Sequence, residues 1–174
     1  THARCTGFLL FAATRMKSSA NLSDRQKARP SALTKLTILG STGSIGLNTL
    51  DIVRQFPQKF RIEALSCRNS LERLSEQIKE FNPRLVCVDT VEQARELRES
   101  FRNGHSALET EIVCGVEGLV QISSDPEVDL VVAGIVGAAG LRPTFSAVEA
   151  GKIVAVANKE PLVMAGELFV KTAK

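Results

Sequence analysis

From Lys35 onward, short apolar segments alternate with amphipathic ones, and this alternation is the main structural signal in the sequence. The apolar segments have the length of buried strands, and turn or capping residues bound them. The predicted strands are Leu36–Leu39, Phe60–Ser66, Leu85–Val88, Glu111–Cys114, Asp129–Ala133 and Ile153–Ala157.

The segments between these strands have helical periodicity. In one of them, apolar residues recur at spacings of three and four, which predicts a stripe packed against a sheet. That stripe is Leu71, Leu74, Ile78 and Phe81, and the next helix has Ala94, Leu97 and Phe101. Further helices are predicted from Ser44 to Pro57, over Val116–Ile122, from Pro143 to Gly151, and from Pro161 to the end. Helices between successive strands imply crossover connections and a parallel sheet. The sequence therefore predicts an α/β fold with a doubly wound parallel sheet, a Rossmann-like dinucleotide-binding domain.

Two of these helices are predicted to begin at capping pairs. Asn69 is followed three residues later by Glu72, and Thr90 by Gln93. In such pairs the first side chain accepts a hydrogen bond from the helix backbone, and the second side chain reaches back to the cap.

A glycine-rich turn joins the first strand to the first helix. Gly40, Gly43 and Gly46 are predicted to allow a tight turn, a close approach to a diphosphate, and close packing of helix on strand, respectively. The free N–H groups and the dipole of the helix would form an anion site, to which Thr42 and Ser44 would add hydroxyl groups. An ordinary glycine-rich turn is the alternative.

The end of the second strand distinguishes between cofactors. An NAD site has an acidic residue there to bind the ribose, whereas this chain has Ser66-Cys67-Arg68-Asn69, with Glu63 in mid-strand. Arg68 can pair with a 2′-phosphate, and Ser66 or Asn69 can hydrogen-bond to it, which favours NADP. Alternatively, Arg68 is a solvated residue at a helix start.

Two later segments also follow strand ends. One is a second glycine-rich segment, Gly134–Gly140, and the other is Asn158-Lys159-Glu160. Lys159 could hold a substrate phosphate or polarise a carbonyl group. On spacing alone, this second segment could equally be an exposed loop.

The charge is unevenly distributed along the chain. Residues 1–35 carry seven basic residues and one acidic residue, whereas residues 36–174 carry 15 basic and 18 acidic residues. The mildly acidic body gives no indication of nucleic-acid binding. We therefore divide the chain into a segment 1–34 and a domain 35–174.

Residues 1–34 are rich in Arg, Ser and Ala and contain the short apolar run Gly7–Ala13. Transit peptides are Arg-rich, Ser-rich and poor in acidic residues, and a short apolar run is typical of a signal sequence. Together these features favour a leader to a plastid-type organelle, a plastid or an apicoplast. The alternatives for this segment are an unstructured tail, or wrongly translated upstream sequence before a start at Met16. The alternative location is a bacterial cytoplasm.

Composition limits the remaining classes of function. Cysteines at positions 5, 67, 87 and 114 have no zinc-binding spacing, and the apolar, strand-like surroundings of three of them suggest buried reduced thiols. The apolar runs are shorter than the roughly 20 residues that a membrane span needs, so no membrane partner is predicted.

Three motifs occur in order along residues 35–174: Gly40-Ser-Thr-Gly-Ser-Ile-Gly46, Ile135-Val-Gly-Ala-Ala-Gly140 and Ala157-Asn-Lys-Glu160. Together they resemble the 1-deoxy-D-xylulose 5-phosphate reductoisomerase family. The resemblance implies that 1-deoxy-D-xylulose 5-phosphate is rearranged to an aldehyde, which NADPH reduces to 2-C-methyl-D-erythritol 4-phosphate. It also implies Mg²⁺ or Mn²⁺ on the substrate oxygens and a homodimeric enzyme in isoprenoid synthesis.

By position, the resemblance also implies roles for individual residues. The diphosphate would contact Thr42, Gly43, Ser44 and Ile45, and the 2′-phosphate would contact Arg68 and Asn69. The nicotinamide would lie beside Ala133, Gly134, Ile135 and Val136. Asn158 and Glu160 would contact the cofactor, and Lys159 the sugar-phosphate substrate.

In this family the metal-binding carboxylates, the lid and the ligands of the substrate phosphate follow Asn-Lys-Glu, beyond Lys174 of this chain. The chain alone is therefore expected to bind NADPH weakly at best and not to turn over. Two other functions remain possible from sequence: another NADP-dependent sugar-phosphate or semialdehyde dehydrogenase, and a non-catalytic nucleotide-binding regulatory module.

Overall fold

The computed structural model describes residues 33–103 and 109–157. Within these ranges, strands and helices alternate as the sequence predicts. The strands are β1 (Thr34–Leu39), β2 (Phe60–Ser66), β3 (Leu85–Val88), β4 (Glu111–Cys114), β5 (Leu130–Ala133) and β6 (Ile153–Val156). The helices are α1 (Ser44–Gln55), α2 (Leu71–Phe81), α3 (Val91–Asn103), α4 (Gly115–Ser124) and α5 (Leu141–Glu149), with a 3-10 turn at Ala138–Gly140. The segment 1–32, the predicted last helix from Pro161 and the triad Asn158-Lys159-Glu160 lie outside the described residues.

All six strands are parallel, in the order β4-β3-β2-β1-β5-β6. The chain moves outward from β1 to β4, and α4 then carries it back to place β5 on the other side of β1. This confirms the predicted doubly wound, Rossmann-like α/β fold. The direction of winding reverses between β1 and β5, so the carboxyl ends of these two strands mark the expected ligand site.

Two apolar cores lie on opposite faces of the sheet. One contains the buried faces of α1, α2 and α3, including Leu50, Leu74 and Leu97. The other contains those of α4 and α5, including Ile122 and Ala147. Each helix therefore packs one stripe on the sheet, which fixes the loops at the carboxyl edge relative to one another.

The ends of α5 follow the predicted proline and glycine signals. Pro143 lies in its first turn, where the missing N–H costs no helical hydrogen bond. Gly151 beyond its end has φ +71°, a conformation that glycine adopts without strain. No helix in residues 33–103 or 109–157 has the length and apolar character needed to cross a membrane.

Candidate functional site

A cleft of about 480 Å³ lies at the carboxyl edge of the sheet, at the reversal point between β1 and β5. The structure brings together here predicted residues from three separate segments. They are Gly40, Thr42 and Gly43 after β1, Arg68 and Asn69 after β2, and Gly134, Ile135 and Val136 after β5.

The glycines of the first loop have different physical roles. Gly40 has φ +81°, and a Cβ there would lie 3.3 Å from the backbone of Gly134, so the two glycine-rich segments touch. A Cβ on Gly46 would lie 2.4 Å from the Cα and carbonyl oxygen of Ser41, so only glycine fits where α1 meets the loop. These findings confirm the predicted turn at Gly40. They also show close packing at Gly46, but against the loop that follows β1, whereas the sequence predicted it against the strand. Gly43 is exposed, and a Cβ there would meet only the Gly40 oxygen, at 3.5 Å.

The N-terminus of α1 faces this loop without a side-chain cap. Its N-cap is Gly43, the cap forms no side-chain hydrogen bond, and the first turn contains no acidic residue. The first N–H groups of a helix have no partner within the helix, and they carry its positive partial charge. An anion in the cleft can therefore be held by the backbone at Ser44 and Ile45.

Two of the predicted site residues have buried positions. Gly46 lies under the loop, and Ala133 packs into the core at the end of β5. The structure thus gives the Ala133 side chain a packing role, and only its backbone lies next to Gly134. Asn158, Lys159 and Glu160 lie outside the described residues, so their placement stays a prediction.

Arg68 projects from the end of β2 with its side chain 77% exposed. Its Nε lies 3.5 Å from Oδ2 of Asp89, which also lines the cleft. The exposed guanidinium group of Arg68 can bind an anion bidentately. The sequence interpretation missed Asp89. It is the first residue after β3, so strand-end placement was a signal that could have found it.

Gln93 fixes the backbone that carries Arg68. Its Nε2 donates to the carbonyl oxygen of Arg68 at 2.8 Å, and its Oε1 accepts from the N–H of Asp89 at 2.9 Å. Gln93 N–H also donates to Oγ1 of Thr90 at 3.3 Å, and Thr90 N–H donates to Gln93 Oε1 at the same distance. The predicted capping pair at Thr90 and Gln93 is therefore confirmed, and it also joins the ends of β2 and β3.

The prediction that Asn69 caps α2 is wrong. The N-cap is Ser70, one residue later, and no side-chain cap hydrogen bond forms there. The chain turns toward the cleft at Arg68 and Asn69 before the helix begins, which keeps the Asn69 side chain exposed at the cleft. Asn69 therefore remains available to a ligand.

Glu63 is the acidic residue nearest to the sequence position expected for a ligand of the NAD ribose, but it lies outside the cleft. Glu63 is only 4% exposed, and its Oε1 accepts from Nε of Arg84 at 2.8 Å. It lies at a β-bulge in β2. Leu36 of β1 pairs with Ile62 and the next residue of β1, Thr37, pairs with Ala64, so the pairing skips Glu63. Glu63 therefore forms a structural ion pair and does not line the cleft.

Burial disfavours the thiolate form of Cys67 and Cys87. Burial raises the pKa of the Cys87 thiol to about 12. Burial also raises the pKa of Cys67, which lines the cleft, although hydrogen bonds involving Ser70, Thr42 and Asn69 act in the opposite direction. Cys67, Cys87 and Cys114 are all free thiols. In the part of the chain that the structure describes, no three His, Cys, Asp or Glu side chains are placed to hold a metal ion.

Comparison with known proteins gives one consistent family. The family model described as 1-deoxy-D-xylulose 5-phosphate reductoisomerase matches residues 36–166. Two bacterial relatives of that name, from Dechloromonas aromatica and Thermodesulfovibrio yellowstonii, are each 49% identical. They match over 83% and 80% of this chain, which correspond to 36% and 35% of their own lengths. The chain thus spans about a third of the length of the curated relatives it matches.

Solved structures agree with this assignment. A DOX-P reductoisomerase in complex with NADPH, fosmidomycin and magnesium is 47% identical with a TM-score of 0.76, and the match covers 81% of this chain and 34% of that one. The reductoisomerase from Zymomonas mobilis in complex with NADPH is 32% identical with a TM-score of 0.74, covering 81% and 36%. With the family model matching most of its length, the chain belongs to the 1-deoxy-D-xylulose 5-phosphate reductoisomerase family.

Proposed function

We propose that this chain binds NADPH and forms the cofactor-binding part of an enzyme that converts 1-deoxy-D-xylulose 5-phosphate to 2-C-methyl-D-erythritol 4-phosphate. The observation that carries the proposal is the cleft itself. It combines an uncapped helix N-terminus at Gly43 with an exposed guanidinium at Arg68, at the reversal point of the sheet. Those are the features that a diphosphate and a 2′-phosphate require.

The residues of the cleft fit NADPH along its length. The diphosphate would lie on the N–H groups at the start of α1, beside Thr42 and Ser44. The 2′-phosphate would meet Arg68 and Asn69, where β2 ends without a free carboxylate of its own. Val136 is 74% exposed at the cleft, which offers an apolar surface to the nicotinamide ring. Bound NADPH supplies the hydride for the reduction.

The substrate side is proposed from the family alone. Lys159 would contact the sugar phosphate, Asn158 and Glu160 would contact the cofactor, and Mg²⁺ or Mn²⁺ would be held by residues outside this chain. We also propose that the complete enzyme is a homodimer, which sedimentation velocity tests. The complete enzyme should oxidise NADPH when 1-deoxy-D-xylulose 5-phosphate and Mg²⁺ are added, and absence of that oxidation would refute the proposed reaction.

Arg68→Ser tests the cofactor. The purified protein should bind NADPH more tightly than NADH, as measured by titrating nicotinamide fluorescence. The variant should lose about 10-fold or more in affinity for NADPH, because a charge-assisted hydrogen bond contributes about 1.5 to 3 kcal/mol. Its affinity for NADH should change by less than about twofold, since NADH has no 2′-phosphate.

The control for this experiment is Arg95→Ser. Arg95 is an exposed residue of α3 outside the cleft lining, so neither affinity should change. If the unaltered protein binds neither dinucleotide, the cofactor proposal is wrong. If Arg68→Ser keeps its preference for NADPH, Arg68 is not the residue that contacts the 2′-phosphate.

We further propose that residues 1–34 direct the protein to a plastid or apicoplast; the alternative is a bacterial cytoplasm. The support is their composition, rich in Arg and Ser with Asp24 as the single acidic residue. The curated relatives named above are bacterial, which favours the alternative. A fluorescent protein carrying residues 1–34 should enter the organelle in plastid-bearing cells. Fluorescence that stays in the cytosol would contradict the targeting proposal.

A further inference from the structure

Gln77 is a buried polar residue on the otherwise apolar face of α2. It is 3% exposed and lies on the same helical face as Leu74 and Ile78, both in the core. Burying an amide costs free energy unless its hydrogen bonds are made. Among the described residues, no buried side-chain nitrogen or oxygen lacks a hydrogen-bond partner. The partner of the Gln77 amide therefore indicates what this residue does.

Both ends of the Gln77 amide bind one residue of the glycine-rich loop. Oε1 accepts from the hydroxyl of Ser41 at 2.6 Å, and Nε2 donates to the Ser41 carbonyl oxygen at 3.1 Å. Ser41, the loop residue that follows Gly40, is fully buried. The side chain and the backbone of Ser41 are thus held at the same time by a single group of α2.

The end of β2 holds the same loop from a second side. Ser66 Oγ accepts from the N–H of Gly40 at 3.0 Å, and the Ser66 carbonyl oxygen accepts from the N–H of Ser41 at 2.8 Å. On the exposed side, Nη1 of Arg73 donates to the Thr42 carbonyl oxygen at 3.1 Å. The N–H groups of Gly40 and Ser41 are therefore used inside the protein, which leaves the N-terminus of α1 to face the cleft.

We propose that Gln77 is a positioning residue for the dinucleotide diphosphate. By holding Ser41, it keeps Thr42, Gly43 and Ser44 in the conformation that binds the ligand, and it contacts no ligand itself. Groups fixed before binding lose no conformational entropy when the ligand arrives, so the clamp raises affinity. This inference rests on the proposed binding of NADPH in the cleft.

Gln77→Met tests the clamp, because it keeps the side-chain length and removes both hydrogen bonds. Titration well below the melting temperature should show about tenfold weaker binding of NADPH, NADH and ADP alike, equivalent to about 1.4 kcal/mol. The ratio of NADPH to NADH affinity should stay constant, because the 2′-phosphate contacts are untouched. Hydrogen exchange without ligand should also become faster at the Ser41 N–H in the variant, but not in β5.

The matched control is Thr37→Val. Thr37 is equally buried in β1. Its hydroxyl donates to the carbonyl oxygen of Ile122 in α4 at 2.9 Å, on the face of the sheet opposite to α2. This variant should lose stability and keep its affinity for all three ligands. If Gln77→Met does not fold, Ser41→Ala replaces it. This variant removes the 2.6 Å hydrogen bond to Gln77 together with the 3.2 Å hydrogen bond of the same hydroxyl to the Ser66 carbonyl oxygen, and it should weaken binding at least threefold.

The outcomes separate this inference from the proposed function. Unchanged affinity in folded Gln77→Met or Ser41→Ala, or equal weakening in Thr37→Val, would overturn the positioning role. If the unaltered protein binds no dinucleotide, the proposed function and the ligand assignment fail together. Exchange at Ser41 that is as slow in Gln77→Met as in the unaltered protein overturns the clamp regardless of any ligand.

Discussion

A Gly46→Ala variant is expected to destabilise the domain strongly. The new Cβ would lie 2.4 Å from the Cα and carbonyl oxygen of Ser41 and 2.5 Å from the carbonyl oxygen of Gly40. These are backbone atoms, so no side-chain rotation relieves the contact, and α1 must move away from the loop. Alanine within a helix gains about 1 kcal/mol over glycine, which is smaller than this steric cost. We expect the free energy of unfolding to fall by about 3 kcal/mol or more, measured by urea denaturation.

Gly43→Ala is the matched control for this prediction. The nearest atom to its new Cβ is the Gly40 oxygen at 3.5 Å, and the backbone of Gly43 has an ordinary φ of −82°. Stability should therefore change by no more than about 1 kcal/mol. Binding of NADPH should weaken, because the methyl group lies on the open side of the loop. Equal stability of the two variants would contradict the packing role assigned to Gly46.

Local sequence patterns were sufficient to predict the class of fold. Strand-length apolar segments and the stripe containing Leu74 and Ile78 predict which faces are buried, and burial of apolar surface is the main driving force of folding. The alternation of elements predicts a parallel sheet. The order of the strands follows from tertiary packing instead, because the sequence of a strand does not specify which other strand it pairs with.

Site residues could be predicted from sequence where the local geometry allows only one type of residue. Gly40 and Gly46 are such positions, since their geometry excludes side chains. The supporting contacts were not predictable in this way. Gln77 lies at helical spacing from Leu74, where a polar residue in an apolar stripe was the available signal, but its partner Ser41 is 36 residues away. Hydrogen bonds between distant segments depend on three-dimensional register, which periodicity does not give.

Charged residues show the same limit. Arg68 was found because strand ends meet at one edge of a sheet, and Asp89 follows the same rule at the next strand. The sequence could not show that the two side chains pair, nor that Glu63 is an extra residue in β2. The insertion reverses the alternation of the strand, since Ile62 and Leu65 face one core and Ala64 faces the other. Register changes of this kind arise from tertiary packing.

An Arg84→Met variant is expected to destabilise the domain by about 2 to 3 kcal/mol, because it leaves the buried carboxylate of Glu63 without its closest cation. Arg84 joins Glu63 to Asp125, and the hydrogen bond to Asp125 contributes most to raising the pKa of its guanidinium. The expected loss is below that of a fully buried pair, since Arg84 is partly exposed and Arg61 lies 3.9 Å from Glu63. Urea denaturation at neutral pH measures it.

The double variant Glu63→Gln/Arg84→Met separates lost charge pairing from lost packing. Arg84→Met leaves two carboxylates without this cation, Glu63 and the slightly more exposed Asp125. A neutral amide at position 63 removes the more deeply buried of these charges, so the double variant should be more stable than Arg84→Met by about 1 kcal/mol or more. Arg95→Met, on the exposed face of α3, should change stability by less than about 0.5 kcal/mol. A double variant no more stable than Arg84→Met would show that the unpaired Glu63 carboxylate is not the source of the lost stability. In that case Glu63 would not be the buried charge that Arg84 stabilises in this fold.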